Sequence, residues 1–137
     1  MTYKFLEHTA DVMFEASGKD LNELFLDCSK ALNETIHGNM NIIEQKKHKI
    51  EIKSEDMVGL LYKFLEEFLF LLDSEDLIFN KISGLKIDEN KFTLTATLIG
   101  DKAEKYHFTN DVKAITFSNL KIEKTKDLYK TKIVLDV

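Results

Sequence analysis

At 137 residues, 44% of them hydrophobic and 31% charged, the chain is sized for one domain whose core needs no disulfide or structural metal. Its 24 carboxylates outnumber 19 basic residues, all lysine, so a net charge of −5 and the missing arginine fork argue against direct nucleic-acid binding. The single Cys28 cannot bridge internally, no run reaches the length of a membrane span, and the opening MTYKFLEH lacks a secretory apolar stretch, so a cytoplasmic protein with no membrane association is expected.

Residues 3–6 and 12–17 read as short strands, the second alternating Val12, Phe14 and Ala16 against Met13, Glu15 and Ser17. HTAD, 8–11, connects them. A helix starts after Gly18, with Asp20 as N-cap and Glu23 at capping-box spacing. Leu21, Leu24, Phe25, Cys28, Ala31, Leu32 and Ile36 form its apolar face, Asn22, Lys30 and Asn33 take the other, and Gly38 closes it. Ser54 is the expected cap of a second helix, with Glu55 and Asp56 in its first turn.

That second helix, MVGLLYKFLEEFLFLLD, is apolar nearly all round. Met57, Leu60, Leu61, Phe64, Phe68 and Leu72 make one face, Val58, Leu65 and Leu69 widen it, and only Lys63, Glu66, Glu67 and Asp73 call for water. Such a helix is central to the fold or keeps a face for a partner, and the core reading is the commoner. The period then switches to two. KHKIEIK, FNKISGLKID, KFTLTATLIG, DVKAITFSNLKIEK and YKTKIVLD read as strands, with DEN at 88–90 as a hairpin turn. No repeat or linker divides residues 1–137, so one α+β domain is expected: a largely antiparallel sheet of about six or seven strands with two helices packed on one face.

His8, Thr9 and Asp11 form either a ligand cluster or a turn bonding its own backbone, and Asp136 is on its own a solvated strand end. If the last strand lies beside the strand following HTAD, however, Asp11, Asp136 and the carbonyl or terminal carboxylate of Val137 converge as a hard-oxygen shell of the kind Ca2+ or Mg2+ accepts. His8, His37, His48 and His107 have no zinc-ligand spacing, and there is no nucleophile elbow and no phosphate loop. A metal-dependent hydrolase or nucleotide-handling enzyme would have to use Asp11 and Asp136 to position water, with His8 as its base. A general chaperone-like module exposing part of helix 57–72 is a further alternative. Lys113 falls opposite Val112 and Ala114, either solvated or as a contact for an acidic or phosphate group.

Taken in order, HTADV, KDLNELFLDCSKAL, SEDMVGLLYKFLEEFLFLLDSE, VKAITFSNLKI and the closing IVLDV resemble the archease family over the whole chain. The resemblance implies a small cytoplasmic α+β protein, not itself an enzyme, that activates the RtcB-type RNA ligase of tRNA splicing and RNA repair. It implies promotion of ligase guanylylation and multiple turnover through a bound divalent cation, Ca2+ above all, held at positions matching Asp11, Asp136 and Val137. No small-molecule substrate of its own is implied. Lys113 matches the lysine of the family's KA-x-T strand and, with His8, is marked as a partner contact. Two departures stand out: Phe117 and Ser118 replace the usual Tyr-His, and Tyr129 stands where a Trp is frequent.

Overall fold

The computed structural model describes residues 2–6, 11–108, 111–117 and 119–137. In chain order its elements are β1 (Thr2–Leu6), β2 (Val12–Gly18), α1 (Leu21–His37), β3 (Lys46–Lys53), α2 (Met57–Glu75), β4 (Leu77–Asp88), β5 (Thr93–Lys102), a 3-10 turn (Ala103–Lys105), β6 (Ala114–Ile115), β7 (Ile122–Lys124) and β8 (Tyr129–Asp136). The α+β class stands, with every strand pair antiparallel, but the strands divide between two sheets. One has the order β1-β2-β8-β6, with β7 also on β8; the other is β3-β5-β4.

The division decides what α1 buries. Asp20 caps it, Oδ1 accepting from the Glu23 N–H at 2.8 Å, while the Glu23 carboxylate accepts from the Lys19 N–H at 3.0 Å, so the box closes one residue ahead of the cap. Gly38 takes φ +63 and donates to the Glu34 carbonyl. The predicted apolar face is wholly buried, yet so are Asp27, Ser29, Asn33, Thr35 and His37. Asn33, expected in water, is buried because α1 packs on β1, β2 and β8 of one sheet and on β4 of the other. Ser29, Asn33 and Thr35 satisfy their burial by donating to the carbonyls of Leu26, Ser29 and Ala31.

α2 begins later than Ser54 predicts. Asp56 is the cap, accepting from the Gly59 N–H at 2.7 Å, and its first turn holds no acidic residue. The Ser54 N–H is committed to the Phe92 carbonyl, and a β-carbon at 59 would collide with the Ser54 and Asp56 side chains, so glycine is what lets the cap close. Leu60, Leu61, Phe64, Leu65, Phe68, Leu69 and Leu71 are buried, with Phe64 stacked on Phe25 of α1 at 5.7 Å. Core packing therefore explains most of the helix. Phe70, 56% exposed, is left in solvent.

Two details differ from the strand reading. Residues 89–92 form the β4–β5 turn, Asp88 accepting from the N–H groups of Asn90 and Lys91, and Phe92 takes φ +54. Residues 111–124 are two short strands rather than one. Between the pairs Ile115↔Leu135 and Ile122↔Thr131 this segment has more residues than β8, and the surplus forms a turn with the Leu120 N–H on the Phe117 carbonyl and Asn119 at φ +65.

Candidate functional site

β2 and β8 pair from Val12↔Leu135 to Gly18↔Tyr129. The sequence fixes this register by alternation. Phe14 faces Ile133 and Ala16 faces Thr131, all buried, and a slip of one residue would turn them to water. The ladder ends at Val12↔Leu135, and Asp11 and Asp136 are the next residue along each strand. The last strand does lie beside the strand that follows HTAD.

β6 brings a third segment to this end of the sheet. Ala114 pairs with Asp136, and the Lys113 N–H donates to the Asp136 carbonyl at 2.7 Å. Asp11 is half-buried, Asp136 exposed, and Val137 half-buried against the core. Among the described residues no group of three or more His, Cys, Asp and Glu stands within reach of one ion. The oxygen groups these residues carry, carboxylates and main-chain carbonyls, are of the kind Ca2+ and Mg2+ accept and zinc sites use less. His8 and Thr9 lie outside the described residues.

Lys113 is exposed and Val112 buried, as alternation requires, but Ala114 joins Lys113 on the exposed side because regular pairing begins only at Ala114. The lysine lines a groove of about 610 Å3 walled by Glu66, Glu67, Phe70 and Asp73 of α2 and by Lys53 of β3. Beside α2, the exposed Phe117 ring meets Tyr62 edge-on at 4.9 Å. The Tyr62 hydroxyl donates to Glu66 at 2.8 Å, and that bond, with burial second, holds the phenol above its ordinary pKa. Sequence reading overlooked Tyr62 and Phe70, although their spacing by eight puts both on one helical stripe. Ser118 lies outside the described residues.

Cys28 is fully buried, and burial pushes its thiol far above the ordinary range, so it is inert at neutral pH. His37 is buried with Nδ1 3.1 Å from the Gly38 carbonyl. No helix among the described residues is long and apolar enough to cross a membrane.

The Archease protein family (MTH1598/TM1083) matches residues 3–137. The chain is 36% identical to the protein archease of Methanothermobacter thermautotrophicus, over 98% of each chain. It is 30% identical to that of Methanosarcina barkeri, over 98% of this chain and 95% of the relative. A protein archease-like of Dictyostelium discoideum is 31% identical, over 98% of this chain and 93% of its own. The solution structure of Methanobacterium thermoautotrophicum protein 1598 superposes with a TM-score of 0.83 at 36% identity, covering 98% of both chains.

Proposed function

The chain belongs to the archease protein family, and from that premise we propose that it is a non-enzymatic activator of an RtcB-type RNA ligase in the cytoplasm, promoting guanylylation of the ligase and its multiple turnover. The observation that supports this reading is the β2–β8 pairing, whose last pair, Val12↔Leu135, adjoins Asp11 and Asp136, with Ala114 of β6 paired to Asp136.

Asp11, Asp136 and a main-chain oxygen of Val137 are the proposed holders of a divalent cation, Ca2+ first and Mg2+ second. Bound there, such an ion would neutralise two like charges and supply a positive centre at the sheet end. The chain's own residues do the rest. The Asp136 carbonyl, by accepting from the Lys113 N–H, ties the segment leading into β6 to the last strand. The Lys113 side chain, exposed at the groove, offers a point charge to a phosphate or carboxylate of the partner. The net charge of −5 favours encounter with a basic RNA enzyme.

The test is multiple-turnover ligation by an RtcB-type ligase from the same genome, with GTP and divalent cation, comparing no addition, the intact protein and Asp11→Ala. Rescue of turnover by the intact protein and not by the variant is the expected result. No rescue by the intact protein, with the ligase competent for a single round, would overturn the reading.

A further inference from the structure

Charge is not spread evenly over this chain. The three-stranded sheet turns Ile50, Ile52, Leu94, Ala96 and Leu98 to the core, and the alternate residues form its other face. Rows cross that face in register: Lys47, Ile99 and Lys81; Lys49, Thr97 and Ser83; Glu51, Thr95 and Lys86; Lys53, Thr93 and Asp88. Five of the 19 lysines stand there against two of the 24 carboxylates, and Glu44, 3.9 Å from Lys81, adds a third. The face is thus net positive on a chain whose total is −5.

Between the lysines run the hydroxyls of β5 and Ser83. A shallow depression of about 520 Å3 crosses Lys49, Lys86, Thr95 and Thr97, with the carboxylate of Glu51 also on its lining, and at Gly84, with φ +63, nothing lies within 4 Å of where a β-carbon would sit. Lysines on an edge strand also deter edge pairing, but the β4 edge is already broken by two register shifts, so Lys81 and Lys86 are not needed for that.

What these rows lack decides the class of partner. Protein interfaces are anchored by large apolar side chains, and those exposed among the described residues are Phe5, Ile43, Phe70, Phe108 and Phe117, none in these rows. The rows hold no aromatic ring to stack a base and no arginine to read one. Lysine point charges alternating with hydroxyls are the equipment for phosphate oxygens. We propose that this face is a sequence-independent docking surface for the phosphodiester backbone of nucleic acid. It belongs to the sheet that does not carry Asp11 and Asp136, and it does not rest on the ligase reading.

The test is fluorescence anisotropy of a labelled single-stranded RNA of about 20 nucleotides, titrated with the intact protein alone across a salt series. Binding at low salt is expected, with log affinity falling against log salt at a slope of about −2 if three phosphates are neutralised. Lys47→Glu/Lys49→Glu/Lys86→Glu, all at exposed positions, should weaken binding by about tenfold or more with an unchanged circular dichroism spectrum. The milder pair Lys49→Gln/Lys86→Gln, which adds no repulsion, should fall between. No binding by the intact protein at low salt, or equal binding by both variants, would overturn the proposal. Competition by polyglutamate as strong as by unlabelled RNA would assign the face to an acidic protein instead.

Discussion

Val12 and Leu135 are the last pair of the β2–β8 ladder, and Asp11 and Asp136 are the next residue beyond it on each strand. Two carboxylates brought together at this end of the sheet would repel one another, and a cation between them would turn that penalty into stabilisation. Adding Ca2+ is expected to raise the melting temperature, a hundredfold excess over the dissociation constant contributing about 2.7 kcal/mol. Asp11→Ala and Asp136→Ala should each abolish the shift. Scanning fluorimetry with Ca2+, with Mg2+ and with chelator checks this, and a melting curve of the intact protein indifferent to all three would remove the metal.

Lys113 joins the site through two separable groups. Its main-chain N–H holds the Asp136 carbonyl, while its side chain is exposed in the groove. Lys113→Ala keeps the N–H, so stability should change by less than about 0.5 kcal/mol. Activation of the ligase should nevertheless fall by about tenfold, the effect of one lost charge contact. Urea unfolding and a ligation time course with the same sample separate the two. Parallel losses in both would make Lys113 a structural residue.

How much was legible beforehand varies by residue. The alternation of β2 and the three-four spacing of α1 depend on near neighbours, and both survive in the fold. The burial of Asn33 was hidden because α1 packs against two sheets at once, and local periodicity does not reveal the second. Ser54 and Asp56 are both capping types, and the choice between them is made by Gly59 and by the hydrogen bond from Ser54 to Phe92. The surplus residues of 116–121 read as strand because Ile115 and Ile122 on either side do pair with β8. For the site, residue chemistry left Asp11 and Asp136 as a turn and a chain end. Family resemblance joined them, and the β2–β8 pairing brings the strands that carry them side by side.

α2 carries its apolar residues unequally. Phe64 is fully buried against Phe25 and Phe68, whereas Phe70 is 56% exposed. Phe64→Ala is therefore expected to cost about 3–5 kcal/mol in urea unfolding, the usual toll of a large core deletion. Phe70→Ser should stay within about 0.5 kcal/mol. A cost for Phe70→Ser comparable to that of Phe64→Ala would mean that its ring packs in solution against something that hides it from water.

Two buried carboxylates should respond to pH in opposite senses. Asp101 accepts from the Tyr106 hydroxyl at 2.7 Å, the Lys102 N–H at 2.8 Å and Lys105 Nζ at 3.3 Å, and these bonds, the tyrosine's first, hold it below the ordinary carboxylate range. Its folded pKa is lower than its unfolded one, so its contribution is complete above about pH 4 and is lost as pH falls through the folded value. Asp27 is raised instead, chiefly by burial, and its Oδ2 has no hydrogen-bond partner among the described residues. Here the protonated form is the one the fold favours, so stability is fully present below about pH 4 and declines as pH rises through the folded value. Asp101→Asn should therefore lower the melting temperature at pH 7, and Asp27→Asn should raise it. Both differences should shrink toward zero in acid, and melting curves of the three proteins from pH 7 downward test it. An Asp27→Asn protein less stable than the parent at neutral pH would show that the charged carboxylate has a partner in solution.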